Sequence, residues 1–322
     1  MDFNILVIIG LTFALVVMII LYILVDRDTY KGTECGKYFL GLGAIFKNEG
    51  HILQEWIEHH RAEGFDHIYL VNDNSTDNFQ EILKPYIKSG YVSLYHVPKK
   101  FRTRSQQEWA MMKIFFGKAI KDCTWFMHLD LDEFITSRDS ETVRQKIDSK
   151  FKDFDFIRIP WLLFGSNEID KTPKSAIETF TKRMKFEYND TLPIYDNIQV
   201  KTLYRSSQIR WYFNWIRIHS PYTEGKYSLP ILSKEDEGLR WGNGFTPAKE
   251  SELNDYHLVI NHYRLQSREF WQTQKCVRGD ADLFSFLQNR TLEKFNYLNK
   301  FYNQVEDTNL RDKTSNRRYK KL

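Results

Sequence analysis

Three carboxylates follow an apolar run near the middle of the chain, at Asp130, Asp132 and Glu133. The run before them, residues 125–129, is typical of a buried strand in a parallel sheet, where neither face needs to be polar. In an extended segment, the i, i+2 spacing of Asp130 and Asp132 places both side chains on one side. Because two adjacent negative charges repel, the pattern favours a bound cation, and oxygen ligands suit Mg²⁺ or Mn²⁺. A solvated acidic turn after a strand is the alternative, and the flanking segments must decide between the two.

Two more polar clusters come directly after predicted strands. Residues 38–46 form an apolar segment that ends at Lys47-Asn48-Glu49, and residues 67–71 form another that ends in the polar cluster 72–77. A third strand is predicted over 91–97, and alternation of such strands with helices is typical of a parallel α/β sheet. Ligands bind beyond the carboxyl ends of these strands, so all three polar clusters are expected to line one crevice. Three unrelated loops would be the alternative.

The elements that must position these clusters are less regular in the second half of the chain. Helices are predicted around residues 52–60, 79–86 and 105–120, and further strands over 156–164 and 257–264. An amphipathic helix is predicted after the last of these strands. Residues 170–250 mix short strands with Trp, Tyr, Pro and Gly, which indicates an irregular half of the same domain where an acceptor would bind.

An uncharged stretch stands near the start of the chain, from Phe3 to Val25. It is long enough to cross a hydrocarbon core of about 30 Å as a helix. A cleaved secretory signal would have a shorter apolar region with basic residues before it, so a retained membrane anchor is predicted. The charges that follow weakly favour a cytosolic domain. The predicted organisation is an anchor over residues 1–25, a short stem over 26–37, one large domain over 38–285, and a helical, basic tail over 286–322.

The composition argues against several classes of function. The net charge is +4, and no basic stripe interleaved with aromatic residues runs through the body of the chain, so nucleic acid is not a predicted partner. The three cysteines include no C-x-x-C pair, which argues against a zinc site and a disulfide scaffold. Hydrophobic residues make up 42% of the chain, which is enough for a substantial core.

The order of the motifs resembles nucleotide-sugar glycosyltransferases of the GT-A fold. The shared order is K-N-E, E-W, H-H, N-D-N-S-T-D, Q-x-x-A and D-L-D-E-F. Downstream, the chain is similar to glycosyltransferase family 92 at Trp161…Phe164-Gly165-Ser166, Arg183-Met184-Lys185, Asn261-His262-Tyr263 and Ser267-Arg268-Glu269-Phe270. The resemblance runs from about Leu40 to Asp282. It implies a Rossmann-like α/β fold with a mainly parallel sheet flanked by helices.

The resemblance implies roles for particular side chains. Asp130 and Asp132 match the D-x-D that holds Mn²⁺ or Mg²⁺ on the donor diphosphate, and Glu133 matches the acid that follows it. His262 lies where related enzymes often place a further metal or diphosphate ligand. A UDP-sugar is the implied donor. The positions implied to contact it are Lys47, Asn48, Glu49, Asp73, Asn74, Asp77 and Gln107.

The resemblance also implies an inverting transfer, which needs a carboxylate to take the proton of the acceptor hydroxyl. Glu168 and Asp170 are candidates because they follow the Gly165-Ser166 loop, and Glu224 and Asp236 are alternatives. Family members often continue Gly-Ser with a small residue and a glycine, whereas Asn167-Glu168 stands here. A cation at the D-x-D would neutralise the leaving diphosphate, and Arg264 or a nearby lysine could assist.

The predicted partners are a nucleotide sugar, a glycan or glycoconjugate acceptor, and a lipid bilayer at residues 3–25. The resemblance favours a lumenal domain on an ER or Golgi membrane, whereas the flanking charges favour the cytosolic side. Two other functions stay open. A nucleotidyltransferase would usually have a glycine-rich basic loop where Phe46-Lys47-Asn48-Glu49 stands. A catalytically silent glycan-binding protein on a membrane would bind its glycan without a metal.

Overall fold

The computed structural model describes residues 12–19, 32–98, 109–187, 199–209, 227–228, 249–278 and 290–316. Three predicted site positions, Gln107, Glu224 and Asp236, lie outside these residues, as do both ends of the predicted tail 286–322. Of the predicted anchor, residues 12–19 are described and are helical. Within the described ranges, no helix combines the length and the apolarity that a membrane span requires.

Strands and helices alternate along the first half of the described chain. The strands are β1 (Tyr38–Phe46), β2 (His67–Asn72), β3 (Val92–His96), β4 (Cys123–His128), β5 (Glu133–Thr136), β6 (Phe156–Leu163), β7 (Lys182–Arg183), β8 (Val200–Arg205), β9 (Tyr227–Ser228), β10 (Val259–His262) and β11 (Val305–Glu306). The helices are α1 (Gly50–Ala62), α2 (Phe79–Lys88), α3 (Ala110–Ala119, continued by Ile120–Asp122), α4 (Val143–Lys146, continued by Ile147–Phe151), α5 (Ala176–Thr179), α6 (Arg268–Phe270, continued by Trp271–Lys275 and Cys276–Arg278), α7 (Leu292–Tyr302) and α8 (Asn309–Ser315).

The main sheet has the order β3-β2-β1-β4-β8-β6-β10-β5, with β9 paired to β6. β1 is parallel to β2 and β4, β2 is parallel to β3, and β6 is parallel to β10. β8 runs antiparallel to β4 and β6, and β5 runs antiparallel to β10. The predicted mixed α/β fold with a mainly parallel sheet is therefore confirmed. β8 begins at the edge of the sheet where β4 and β6 end, and β5 begins where β10 ends.

Helix α1 shows how the sequence forms the layer that covers this sheet. Ile52, Leu53, Trp56 and Ile57 recur at helical spacing, and all four are buried in the core that includes the side chains of β1. The helix ends just before Gly64, whose φ of +94° lies in the left-handed region that glycine adopts without steric penalty. The following chain can therefore turn back at once into β2.

The acidic segment is not the extended strand that was expected. β4 ends at His128, residues 129–132 leave the strand and turn, and Glu133 begins β5. The N–H of Glu133 donates to the carbonyl oxygen of Asp130 at 3.0 Å, which closes the turn. The expectation that strand geometry aligns Asp130 with Asp132 is thus wrong, because the chain reverses here so that β5 can pair with β10.

Residues 292–315 pack on the same core as the sheet. Phe295, Leu298 and Tyr302 of α7 are buried, and Val305 of β11 pairs with Arg183 of β7. Nζ of Lys313, from α8, lies 3.2 Å from Oε1 of the buried Glu63, which follows α1, and donates at 3.0 Å to the hydroxyl of Thr136 at the end of β5. The C-terminal helices are thus attached to the main sheet through packing and charge.

Asp307 fixes this C-terminal segment through a buried ion cluster. Its carboxylate accepts hydrogen bonds from Nη1 of Arg138 at 2.9 and 3.1 Å and from Nε of Arg183 at 2.7 Å. Arg183 also donates to the carboxylate of Glu250. Burial raises the pKa of Asp307, but Arg138 and Arg183 outweigh burial and hold the pKa below its usual value. The carboxylate is therefore charged at neutral pH and joins two arginines.

Asp307→Asn should lower the free energy of unfolding by about 3–5 kcal/mol at neutral pH, because it leaves buried guanidinium groups without their full charge partner. A depressed pKa stabilises the fold above the ordinary carboxylate pKa, and this contribution is lost as the pH falls through the folded value. The difference between variant and wild type should therefore shrink as the pH is lowered, in denaturant unfolding curves. Asp153→Asn, in the exposed turn after α4, is the matched control and should change little. Equal unfolding midpoints for Asp307→Asn and wild type at neutral pH would contradict the assignment.

Candidate active site

The turn between β4 and β5 is held by a tryptophan from α1. The indole Nε1 of Trp56, which is fully buried, donates to the backbone oxygens of Asp130 at 3.2 Å and Glu133 at 2.9 Å. The carboxylate of Glu133 accepts a hydrogen bond from the N–H of Asp130 at 2.9 Å. Because both ends of the turn are fixed in this way, the side chains of Asp130 and Asp132 leave it in defined directions.

Lys201 neutralises one side of this turn. β8 is antiparallel to β4 and begins where β4 ends, so the second residue of β8 lies beside the turn. The Lys201 side chain is fully buried, and its Nζ lies 3.0 Å from Oδ2 of Asp130 and 3.3 Å from Oε2 of Glu133. A buried charge without a partner is strongly unfavourable, so the fully buried Lys201 depends on these carboxylates, of which Asp130 is 43% exposed.

Lys275 and His262 face the other aspartate. Nζ of Lys275, from α6, lies 2.9 Å from Oδ2 of Asp132, and Nε2 of His262, the last residue of β10, lies 3.5 Å from Oδ1. All three side chains are less than one-tenth exposed. The indole ring of Trp161, from β6, contacts the imidazole edge-on with the ring centroids 4.4 Å apart. Residues of α6 and β10 therefore reach Asp132 directly, and a residue of β6 packs on its histidine partner.

The two lysines keep both aspartates ionised. Burial raises the pKa of Asp130, but Lys201 and His128 outweigh burial and lower the pKa to about 2. Burial also raises the pKa of Asp132, but Lys275 and His262 outweigh burial and hold this pKa well below its usual value. For Glu133 burial dominates, and the pKa is raised well above its usual value. The turn therefore presents two charged carboxylates beside a carboxyl group that resists ionisation.

Each aspartate keeps one oxygen away from its lysine. Oδ1 of Asp132 faces His262, and Oδ1 of Asp130 lies 4.0 Å from Nε2 of His128. Burial lowers the pKa of His262, and the neutral imidazole that results is the form that binds metals. Carboxylate oxygens are preferred ligands of Mg²⁺ and Mn²⁺. The donor types at Asp132 and His262 therefore fit a divalent ion.

The predicted metal ligands are brought together only in part. Asp132 and His262 are neighbours, whereas Asp130 is directed to Lys201 and His128. Within the described residues, no three His, Cys, Asp or Glu side chains are grouped closely enough to hold one ion. The three-residue set of Asp130, Asp132 and His262 stays a prediction.

The loops after β1 and β2 are joined to each other. The N–H of Asn48 donates to Oγ of Ser75 at 3.0 Å, and Oδ1 of Asn48 accepts from the N–H of Thr76 at 2.7 Å. Asp77 accepts a hydrogen bond from the N–H of Gly50 at 2.7 Å, so it satisfies the first turn of α1 from the neighbouring loop. The two predicted polar clusters thus meet at one edge of the sheet. Asn48 and Asp77 shape this edge through bonds within the protein.

Other predicted donor-binding residues lie at the surface of the same two loops. Nζ of Lys47 lies 3.7 Å from Oδ2 of Asp73, and the amide of Asn74, exposed at a φ of +53°, donates to Asp73 at 3.2 Å. Glu49 is buried instead, with Oε2 3.4 Å from the N–H of Lys47. Lys47, Asp73 and Asn74 can therefore be reached by a ligand, and their contact with a nucleotide stays a prediction.

Glu168, the first candidate base, lies on a strained loop after β6. Asn167 and Glu168 have φ values of +49° and +61°, a conformation that is unfavourable for residues other than glycine. Helix α7 holds the loop in place. Oδ1 of Asn303 accepts from the N–H of Asn167 at 3.0 Å, and Oδ1 of Asn299 accepts from the N–H and the hydroxyl of Ser166 at 3.1 and 2.7 Å. The exposed Glu168 therefore projects from a backbone that is fixed on both sides.

Asp170, the second candidate base, is also exposed, and its Oδ1 lies 3.4 Å from Nε of Arg268. Its loop follows β6, which runs parallel to β10, so it leaves the same edge of the sheet as His262. In the part of the chain that the structure describes, neither Glu168 nor Asp170 contacts the acidic turn. Arg264 is half-buried, and its positive charge contributes to lowering the pKa of His262. The choice of base stays a prediction.

Sequence reasoning missed Lys201 and Lys275 as members of this site. Lys201 stands in a strand that is buried from Val200 to Tyr204, and Lys275 lies one helical turn after the buried Trp271. Lysine is almost never buried unless it is paired, so a lysine on the apolar face of an element indicates a buried acidic partner. This signal was present in the sequence, but the partner could not be identified without the fold.

The family described as glycosyltransferase family 92 matches residues 43–318. The match covers most of the chain, and the chain belongs to this family. The resemblance inferred from the ordered motifs, and with it the prediction of a glycosyltransferase, is confirmed. No curated protein sequence matches the chain.

Several solved structures are similar to parts of the chain. S. aureus TarS 1–349 in complex with UDP has 14% identity and a TM-score of 0.32, over 53% of this chain and 47% of that chain. Mannosyltransferase PcManGT from Pyrobaculum calidifontis, in complex with GDP-Man and Mn²⁺, has 11% identity and a TM-score of 0.27, over 41% of this chain and 38% of that chain. HddC from Yersinia pseudotuberculosis has 11% identity and a TM-score of 0.32, over 60% of this chain and 89% of that chain. The chain thus spans about half the length of TarS 1–349, and likenesses at these TM-scores do not identify a function.

Lys201→Met should lower the free energy of unfolding by about 3–5 kcal/mol at neutral pH, because it leaves Asp130 and Glu133 without their buried cation. In the variant we expect the folded pKa of Asp130 to rise above its unfolded value and the already raised pKa of Glu133 to rise further. Stability is then recovered as the pH falls below the raised values and is lost as the pH rises. The difference from wild type should therefore grow between about pH 4 and pH 8 in thermal unfolding. Lys88→Met, at the exposed end of α2, is the control. A difference that is constant across this range would contradict the pairing.

Proposed function

We propose that this family 92 member transfers a sugar from a nucleotide-sugar donor, with UDP-sugars as the first candidates, to a hydroxyl group of a glycan or glycoconjugate. The transfer depends on Mn²⁺ or Mg²⁺ and inverts the anomeric centre. The observation that supports this proposal most directly is the acidic turn. Two ionised carboxylates and a neutral histidine lie at the carboxyl edge of the sheet, where α/β folds bind their ligands.

Asp132 and His262 would hold the divalent ion, with Asp130 as the third ligand. When bound, such an ion acts as a Lewis acid that neutralises the charge of the departing diphosphate. The protein side chains orient this chemistry. Trp56 fixes the turn through its two carbonyl oxygens, and Trp161 fixes the plane of the His262 ring. Both metal ligands are thus set in position before the donor arrives.

The donor and the acceptor would approach from different loops. Lys47, Asp73 and Asn74 lie on the accessible loops after β1 and β2, which suits contact with the nucleoside. Glu168 or Asp170 would take the acceptor proton, since both carboxylates are open to solvent on the loop after β6. Arg264 would add positive charge near the diphosphate. In a cell, we expect residues 3–25 to anchor the domain at a membrane of the secretory pathway, with the domain in the lumen.

Release of nucleoside diphosphate from a nucleotide sugar should require Mn²⁺ or Mg²⁺ and should stop when the metal is chelated. A panel of UDP- and GDP-sugars, each with and without Mn²⁺ and with EDTA, measures this by following the free diphosphate. The condition with Mn²⁺ also separates the proposal from a silent glycan-binding protein, which would show no turnover in any condition. Turnover of a nucleotide sugar that persists in EDTA would contradict the metal requirement.

Asp132→Asn should lower this turnover by about 100-fold or more, because Lewis-acid stabilisation of the leaving group contributes several kcal/mol. Asparagine is chosen because it keeps the side-chain volume and a hydrogen-bond acceptor beside Lys275, whereas alanine would leave that buried ammonium alone. Asp153→Asn, in the exposed turn after α4, is the matched control. Undiminished turnover in Asp132→Asn would refute the role of this residue.

A further inference from the structure

Lys275 is a buried cation whose hydrogen-bonding capacity is not filled by the residues that the structure describes. Its side chain is 7% exposed, and its Nζ donates to Oδ2 of Asp132 at 2.9 Å. The ring of Phe270 lies 5.9 Å from the amine. An ammonium group carries three N–H donors. Asp132 is the one hydrogen-bond acceptor that Lys275 contacts among the described residues, so two donors remain for another acceptor.

Lys201 differs from Lys275 in the number of carboxylates that it contacts and in its exposure. It contacts two carboxylates, those of Asp130 and Glu133, and its side chain is 0% exposed within a strand of the sheet. No ligand can approach it without disrupting the sheet, so its role is to hold the turn. Lys275 comes instead from a helix that follows β10, and it approaches Asp132 beside His262. Of the two lysines, Lys275 is the one placed to meet a ligand.

The charges around the turn indicate what kind of ligand this is. The ammonium groups of Lys201 and Lys275 balance the carboxylates of Asp130 and Asp132. A divalent ion at Asp132 would therefore give the site an excess of positive charge. In a poorly solvated site such an excess is unfavourable unless an anion binds with the ion. The diphosphate of a nucleotide sugar is a dianion, and it gains further negative charge as it leaves.

We infer that Lys275 binds the nucleotide-sugar donor by donating a hydrogen bond to a phosphate oxygen of its diphosphate, while it stays beside Asp132. This role rests on the proposed function and assigns to it a residue outside the D-x-D and His262 motifs. As the bond from the sugar carbon to the diphosphate oxygen breaks, its electron pair stays on that oxygen. The ammonium then stabilises the added charge as a fixed donor in a site with little water.

The inference predicts that one substitution changes the affinities for two ligands differently. Lys275→Gln removes the charge but keeps an N–H donor for Asp132. It should weaken binding of UDP or GDP in saturating Mn²⁺ by about 10- to 100-fold, which is the size of one lost charge-assisted hydrogen bond. The same variant should bind Mn²⁺ alone as well as wild type or more tightly, because a competing positive charge is gone. If Lys275 served only to keep Asp132 in place, its replacement would weaken the binding of both ligands.

Isothermal titration calorimetry measures both affinities, with MnCl₂ alone and with UDP and GDP added in MnCl₂. Lys275→Arg keeps the charge and should recover most of the nucleotide affinity. Lys275→Met, which keeps the apolar stem, is a second neutral variant in case Lys275→Gln does not fold. Lys88→Met is the surface control. Thermal unfolding of each variant separates a loss of binding from a loss of structure.

Two results would overturn the inference. The first is nucleotide affinity in Lys275→Gln within about two-fold of wild type, a difference too small for a lost charged hydrogen bond. The second is a parallel loss of Mn²⁺ and nucleotide affinity in a folded variant, which would show that Lys275 only positions Asp132. Wild-type protein that binds neither UDP nor GDP in MnCl₂ would refute the proposed function itself, and the role of Lys275 with it.

Discussion

Two ionised carboxylates at the end of a buried strand need positive charge close by, and this requirement organises the centre of the protein. Coulomb attraction is strong where little water screens it, and so is the penalty for a charge left alone. Lys201 from β8 supplies the positive charge beside Asp130, and Lys275 from α6 supplies it beside Asp132. Two lysines of the protein itself therefore neutralise the charge of the turn.

The sheet topology is what brings these cations to the turn. A wholly parallel sheet would place only the carboxyl ends of strands at this edge. Because β8 is inserted antiparallel between β4 and β6, its first residues stand there too, and Lys201 is one of them. β5 is antiparallel for a related reason, since the chain reverses directly after Asp132 and pairs with β10. That pairing places Glu133 directly opposite His262 on the neighbouring strand.

The first half of the fold could be predicted from local patterns, and the site could be predicted only in outline. β1 and β2 are short apolar runs that end in polar clusters, and their alternation with helices predicted their place in a parallel sheet. The turn at 129–132 was misjudged because hydrophobic periodicity does not register a chain reversal within a polar cluster. The partners of Asp132 lie 130 or more positions away, at His262 and Lys275, and no local rule predicts contacts of that range. The bond from the N–H of Gly50 to the carboxylate of Asp77 could not be predicted for the same reason, and the contact of Asp77 with a nucleotide stays a prediction.

The same long separations decide the order in which the site is completed during synthesis. Lys275 follows Asp132 by 143 positions, and Asn303 follows Asn167 by 136. A ribosome adds about 5–20 residues per second, so the acidic turn emerges on the order of ten seconds before the residues that neutralise and support it. The parallel half of the sheet can form in the nascent chain, but Asp132 then lacks its ammonium partner and the loop of Glu168 lacks α7. A truncated translation product that ends before α6 would therefore keep a recognisable α/β half without a finished site.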